Sequence, residues 1–320
     1  MSVGVLIIGL GQIGMGYDLD LDPNQYIYSH ARAFSQHPDF HLVAAVDPGP
    51  QQRKIFAQKY QCPAYENIES ALSRHQPGLV VIATPTLFHK EALQKVLNQS
   101  QPKVVLCEKP LANDAEDGQW MVNTCSEKGV ELYVNYLRRA DPAVIEIKRR
   151  IETGEISSPI KGVVWYSKGL LHNGSHFFNL LEYWLGPMQS FAVINEGRLW
   201  DQIDPEPDVQ VRFENGEVVF LSAWEEAFSH YTVELLSPAG RLRYEQGGAF
   251  VQWQLAFADP ILQGCKALSS QVYEVANGMD RYQWHVADQL ANAMRGEEFQ
   301  LCTGNDALHT LVALNKILAH

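Results

Sequence analysis

The feature that most constrains this chain is a glycine pattern close to its start. Gly9-Leu10-Gly11-Gln12-Ile13-Gly14 follows directly on the apolar run Val3–Ile8. Glycines at these three positions do three different jobs. One makes a tight turn, one lets the backbone approach a pyrophosphate, and one allows close packing of helix on strand. Amides at the start of the following helix then face the phosphate charge. A glycine turn without a ligand is the alternative, and the strand in front of the motif argues against it. A second apolar run, His41–Val46, ends at Asp47. An acid there accepts from a ribose 2′-hydroxyl and repels a 2′-phosphate, which favours NAD over NADP. Asp47 lies 33 residues after Gly14, where about 20 is usual. The excess is assigned to an insertion around Tyr17–Tyr28.

Three more apolar runs follow at 79–83, 104–107 and 130–135. Near-continuous apolar strands suit a parallel sheet covered on both faces. The segments between them carry helical periodicity, as in 87–97, with Leu93, Val96 and Leu97 on one side. This alternation predicts an α/β chain whose N-terminal part, 1–125, is a Rossmann doubly wound parallel sheet. The pattern then changes. A helix is predicted at 143–151, and β-prone segments at 159–165, 209–213, 218–224, 231–236 and 241–244. Glu214-Asn215-Gly216 marks a hairpin turn. These predict a C-terminal α/β domain, 126–320, built on a large open mixed sheet. Helices at 283–295 and 306–319 close the sequence and can pack on either domain. Thr303-Gly304-Asn305-Asp306 resembles a capping box for the last helix.

Composition narrows the function classes. Hydrophobic residues make up 46% of the 320 and charged residues 19%, which excludes disorder as the dominant state. The net charge of -12 disfavours nucleic acid and anionic membrane as partners, since both need a cationic face. A small anionic ligand in a local positive pocket remains compatible. The five cysteines are odd in number and form no CxxC pair, so a reducing cytoplasm fits better than a disulfide framework. The apolar N-terminus is too short to span a bilayer and lacks the positive flank of a signal peptide.

Several residues carry chemistry. Thr84-Pro85-Thr86 ends the third apolar run, at the carboxyl edge where such sheets bind ligands, with His89 just beyond. His89 taken alone reads as a packing histidine. Glu108-Lys109-Pro110 ends the fourth run. A lysine there faces the cofactor crevice, and burial would lower its pKa toward a useful proton donor or acceptor; a solvated strand-end lysine is the plain alternative. A cis Lys109-Pro110 bond is compatible with the motif. His172, His176, Asn179 and Tyr183 fall at i, i+4, i+7 and i+11, one stripe of a helix. Phe177 and Leu181 form an apolar stripe beside it, as on a helix lining a pocket; an ordinary amphipathic helix reads the same way. His172-Asn173-Gly174-Ser175-His176 lacks the glutamate of HExxH and a third ligand, so no metal is expected.

Together these motifs resemble the Gfo/Idh/MocA family of NAD(P)-dependent oxidoreductases, of the glucose–fructose oxidoreductase and inositol dehydrogenase types. The carriers are GLGQIG at 9–14, AVD at 45–47, ATPTLFH at 83–89, CEKP at 107–110 and NGSHFFNLL at 173–181. The resemblance implies a cofactor site formed by Gly9, Gly11, Gln12, Ile13, Gly14, Asp47, Thr84, Pro85, His89, Glu108 and Lys109. It implies that Lys109 binds the reacting oxygen and that His176 is the proton donor or acceptor. His172 stands where many members carry aspartate, and Asn179 where many carry a second acid. The acid–base partner of His176 is then another histidine, His172, or the proton route differs, and the substitutions suit a modified or nucleotide-linked sugar. Arg138, with Arg139, is a candidate for an anionic substrate group; plain surface charge is the alternative. The expected activity is NAD-dependent oxidation or reduction of a secondary alcohol or ketone on a sugar-like substrate, by a homo-oligomer. A dinucleotide-binding sensor without turnover and a glycoside-cleaving enzyme using transient oxidation are the alternatives.

Overall fold

A computed structural model of the chain describes residues 2–224 and 227–320. Its contacts divide it into two compact units, 1–140 with 280–311, and 141–279 with 312–320. In the first unit β1 (Val3–Ile8), β2 (Phe40–Val46), β3 (Ala64–Tyr65), β4 (Leu79–Ile82), β5 (Val104–Cys107) and β6 (Glu131–Val134) form one parallel sheet. The order is β6-β5-β4-β1-β2-β3. It reverses between β1 and β4, the switch point at which ligands bind in such sheets. The helices α1 (His30–Gln36), α2 (Pro50–Tyr60), α3 (Ile68–Leu72), α4 (His89–Gln99) and α5 (Ala115–Glu127) supply the crossovers. Val5, Ile7, Val80 and Leu106 are fully buried, which is why these strands read as unbroken apolar runs. The sequence puts the change of domain near 125–140, and the contacts divide the chain at Ala140, since β6 is hydrogen-bonded to β5 as a member of the parallel sheet.

The glycine motif does not lead straight into a long helix, and that expectation is corrected. Met15 N–H donates to Gly11 O (2.9 Å) and a single 3-10 turn follows at Gly16–Asp18. The first regular helix starts only at His30. Yet the helical ladder continues across the gap. His30 N–H donates to Ile13 O (3.0 Å) and Ala31 N–H to Gly14 O (2.9 Å). Residues 17–29 are thus looped out between the first turn of a helix and its remainder. Without these thirteen residues, Asp47 would fall at about the usual spacing. Asp18 anchors the loop from within. It is fully buried and accepts from Tyr28 N (2.7 Å), Ser29 N (2.8 Å) and Ser29 Oγ (2.7 Å). Arg32 Nε lies 3.5 Å from Asp18 Oδ1, and its guanidinium also donates to the carbonyls of Leu21 (3.1 Å) and Tyr26 (3.0 Å).

The second unit is built on a mixed sheet. Its helices are α6 (Pro142–Glu152) and α7 (Ser175–Leu185). Its longer strands are β7 (Ile160–Tyr166), β8 (Met188–Asn195), β11 (Asp208–Phe213), β12 (Gly216–Ser222), β13 (Thr232–Ser237), β14 (Gly240–Glu245) and β15 (Phe250–Ala258). Two short strands, β9 (Leu199–Trp200) and β10 (Asp204–Pro205), pair with each other between β8 and β11. The sheet runs β15-β14-β13-β7-β12-β11-β8, with β16 (Lys266–Leu268) and β17 (Tyr273–Glu274) paired to β15. β7 is parallel to β12 and antiparallel to β13. The predicted hairpin joins β11 to β12 at Glu214-Asn215. Alternation sorts the faces: Val164 and Tyr166 are buried with Phe177, Phe178 and Trp184, while Trp165 is exposed. Trp184 Nε1 donates to Val144 O (3.0 Å), tying α7 to α6.

The helix α8 (Tyr282–Arg295) belongs to the first unit, and α9 (Gly304–Leu318) is divided between the units after Leu311. The expected cap is present and reciprocal: Asp306 N donates to Thr303 Oγ1 (3.2 Å) and Thr303 N to Asp306 Oδ2 (3.0 Å). No helix among the described residues is long and apolar enough to cross a membrane. Replacing Asp18 with alanine would leave two amides and a hydroxyl without their acceptor and the Arg32 guanidinium without its counter-charge. Removing one partner of a buried charge pair costs about 3–5 kcal/mol. Asp18→Ala is therefore expected to lower the urea midpoint by that equivalent, and an unchanged midpoint would remove this loop's anchor from the account.

Candidate functional site

The glycine motif separates physically into its three jobs. Gly9 has φ of +99°, and a Cβ there would lie 2.5 Å from Ala83 O. A Cβ on Gly14 would lie 2.1 Å from Gly9 O. These two positions exclude side chains because the protein's own backbone fills the space. Gly11 is different: a Cβ there would meet nothing within 4 Å. It is exposed, as is Gln12, with Ile13 half-buried behind them. Space held open at the middle glycine fits a pyrophosphate from outside the chain.

Asp47 is fixed beside this turn. Leu10 N donates to Oδ2 (2.8 Å) and Gly49 N to Oδ1 (2.7 Å). Each carboxylate oxygen keeps a further lone pair for an outside donor. Arg53 caps the same corner by donating to the carbonyls of Asp47 (2.7 Å) and Pro48 (2.8 Å). A cavity of about 190 Å³ opens at the carboxyl ends of β1, β2 and β4, lined among others by Gly9, Pro48, Asn67, Thr84 and Phe88. Thr84 Oγ1 is buried there without a hydrogen-bond partner, and Pro85 is exposed beside it. An unfilled hydroxyl at this edge fits a polar ligand. These residues together suit a dinucleotide.

The lysine of the EKP motif stands at the same edge, just after β5. The Lys109-Pro110 bond is cis, and Lys109 is half-buried. Glu108 beside it is 8% exposed. Its Oε1 accepts from His30 Nε2 (2.7 Å) and from Asn135 Nδ2 (2.6 Å). Burial alone would raise this carboxyl, but the His30 hydrogen bond and charge, with Asn135 and Lys109, hold it below the usual carboxylate range. His89 takes the packing role. It is buried, with Nε2 2.9 Å from Thr84 O and Nδ1 3.2 Å from Leu111 O. It staples the end of β4 to the segment after Pro110, and burial holds its imidazole below the ordinary histidine value.

The second unit carries the histidines, in a geometry the sequence misreads. Gly169–Gly174 is a π-helix, and α7 begins at Ser175. The stripe expected from spacing is therefore interrupted between His172 and His176. Two buried acids shape the turn. Asp204 accepts from Leu171 N (3.0 Å) and His172 N (2.7 Å). Glu206 accepts from Lys168 N (2.7 Å) and Gly169 N (3.2 Å), and from Arg198 Nε (2.9 Å). Burial pushes the Asp204 carboxyl up, against those amide bonds. Gly169 has to be glycine: φ is +83° and a Cβ would sit 2.0 Å from Asp204 Oδ2. The exposed His172 ring stacks on Trp200 at 5.0 Å. His176 is half-buried in the first turn of α7, with its Nδ1 inside. Asn179 is 1% exposed, so it belongs to the inner face of α7. Tyr183 lies under Lys148 Nζ at 5.4 Å.

Arg138 is half-buried, whereas Arg139 is buried and donates to Asp306 (3.0 Å). Arg139 is thereby tied into the α9 cap. Sequence reasoning missed His30, Asn135, Trp200, Asp204 and Glu206. The alternation Asp204-Pro205-Glu206-Pro207-Asp208 was a usable signal, since acids between prolines outside a helix are available to capture backbone amides. His30 carried no comparable signal, because the insertion separates it from the glycine turn.

Comparison with known proteins agrees with this geometry. Residues 3–136 match the family model described as oxidoreductase family, NAD-binding Rossmann fold. The scyllo-inositol 2-dehydrogenase (NAD(+)) of Bacillus subtilis is 32% identical over 167 residues, covering 50% of this chain and 43% of that protein. The 2,7-anhydro-N-acetylneuraminate hydratase of Mediterraneibacter gnavus is 23% identical over 259 residues, covering 72% and 64% respectively. The matches thus span between about half and two thirds of these relatives. The WlbA dehydrogenase from Bordetella pertussis, solved with NADH and UDP-GlcNAcA, shares the fold: TM-score 0.77 at 19% identity, over 99% of this chain and 95% of that one.

The glycines give a paired test. Gly11→Ala is expected to fold with an unchanged melting midpoint and to lose most of the midpoint shift that a dinucleotide produces. Gly14→Ala drives a Cβ into backbone and is expected to lower the midpoint of the unliganded protein. Equal behaviour of the two in thermal melts would contradict the division of labour.

Proposed function

We propose that this chain, whose residues 3–136 match the Gfo/Idh/MocA family model, acts as a member of that family and transfers hydride between a nicotinamide dinucleotide and a secondary alcohol or ketone of a sugar, cyclitol or nucleotide-linked sugar. The observation that carries the reading is the shared edge: an open glycine turn, a fixed acid and the EKP lysine all stand at the carboxyl ends of one parallel sheet. A dinucleotide held by Gly9–Gly14, Asp47 and Thr84 would supply or accept the hydride. The protein's share is orientation and proton transfer. Lys109 donates from Nζ to the substrate oxygen and stabilises its developing negative charge. His176 takes or returns the hydroxyl proton at Nε2, since Nδ1 faces the interior. His172, held against Trp200, orients the substrate, and Asn179 positions α7 from inside. Arg138 meets an anionic substituent. The exposed face around Trp165 is the surface for a homo-oligomer.

Asp47 favours NAD. Its oxygens keep acceptor capacity for a ribose diol, and its charge opposes a 2′-phosphate. Thermal melts should show a larger midpoint shift with NAD(H) than with NADP(H). Asp47→Ser should narrow or reverse that difference, and a larger NADP(H) shift in the natural protein would overturn the preference.

Activity is tested by absorbance at the nicotinamide band with a panel of polyols, cyclitols and nucleotide sugars. His176→Ala should lower kcat about 10²–10⁴-fold while leaving the NAD-induced midpoint shift intact. A second reading rests on the resemblance to the hydratase over 72% of the chain: transient oxidation of one ring carbon followed by elimination at another. Product release without net absorbance change would select it. A pure sensor would bind dinucleotide and show neither, an outcome that the presence of both Lys109 and His176 argues against.

A further inference from the structure

We infer that His30 and Asn135 form, with Glu108, a buried device that positions Lys109 and keeps one negative charge beside it. This rests on the reading of Lys109 as the group that meets the substrate oxygen. The device joins three parts of the first unit: the start of α1, the end of β5 and the residue just after β6. His30 and Asn135 are essentially inaccessible, at 0% and 2%. Both donate to the same oxygen, Glu108 Oε1, at 2.7 and 2.6 Å. The other oxygen turns toward Lys109, whose backbone N–H is 3.4 Å from Oε2.

A site meant only for packing has no need of an ionised group. Burying a carboxylate is costly unless its lone pairs are filled and its charge is answered. Here two donors fill one oxygen, and against the cost of burial the His30 bond and charge, the Asn135 bond and the charge of the neighbouring Lys109 together hold Glu108 below the usual carboxylate range. Tyr282 of α8, His89 of α4 and Cys107 of β5 also feel the carboxylate's charge.

The arrangement explains why a helix beginning so far along the chain matters to the lysine. His30 is fixed in place by its backbone bond to Ile13, so the glycine turn and the lysine share one scaffold. Loss of the histidine's donor frees the Glu108 side chain and with it the geometry of the next residue.

The test uses the full chain as Glu108→Gln, His30→Leu and His30→Gln, with two independent readouts. The first is acylation of Lys109 at one pH below the ordinary lysine value of about 10.4, followed by peptide mass spectrometry. The exposed Lys54 and Lys128 serve as internal controls. An opposite charge nearby changes the protonated fraction by about tenfold or more. Lys109 in Glu108→Gln should therefore be labelled about tenfold faster, with the controls unchanged. His30→Leu should follow in the same direction, and His30→Gln, which retains an N–H donor, should stay near the natural protein. The second readout is turnover: His30→Leu should lose between about tenfold and a hundredfold in kcat with the NAD-induced midpoint shift intact, and His30→Gln should recover most of it. Unchanged Lys109 labelling in folded Glu108→Gln overturns the inference. If His30→Leu does not fold, Glu108→Gln and His30→Gln still decide it. Altered labelling in a protein without turnover on any substrate would uphold the device and sink the proposed activity.

Discussion

One contact without room for a side chain organises the first unit: Gly14 lies so close to the Gly9 carbonyl that any Cβ would collide with it. Because that approach is possible, the turn folds back on β1 and the carbonyls of Ile13 and Gly14 point along a helix axis. They accept from His30 and Ala31, so the position of α1 is set by the turn and not by the loop that precedes it. The register of α1 then delivers His30 to Glu108. Asp47 closes the arrangement from β2 by accepting from Leu10 within the motif. Dinucleotide turn, adjacent acid and lysine support are therefore one mechanical unit.

The second unit solves a different problem with different means. A π-helix is less favourable than an α-helix and occurs mostly as single turns at functional places. Here Lys168 takes a left-handed φ of 63° and Gly169 one of 83°, conformations that require stabilisation from elsewhere. Asp204 and Glu206 provide it by accepting four backbone amides between them. Both acids are buried, so these bonds are not in competition with water. The result sets the backbone of His172 and its stack on Trp200 before any ligand arrives.

How much of this was readable follows the range of the forces involved. Continuous burial on both faces writes itself into β1, β4 and β5 as apolar runs, so the parallel sheet was legible. The Thr303–Asp306 cap is a local bond and was legible too. The mixed sheet was visible through alternation on β7, β11 and β12. The change of pattern near 125–140 was visible too, and the contacts divide the chain at Ala140. The spacing of His172 and His176 imitates an α-helix, and the acids that overrule it lie about thirty residues later. His89 was correctly ambiguous: its strand-edge position suggests a ligand contact, while its two carbonyl neighbours make it a staple. His30 stayed hidden because its role depends on a ladder that skips a loop.

That skipped loop has a consequence for how this chain can vary. Residues 17–29 leave and re-enter at neighbouring rungs of one helical ladder, so their two ends are fixed there. Closing a longer or shorter loop between fixed ends changes the entropy slowly. A change in the segment's length is therefore cheap only where it spares the residues that hold it: Asp18, paired with Arg32 of α1, Ile27, bonded through its backbone to Asp280 and Gln283, and Tyr28, stacked on Tyr282.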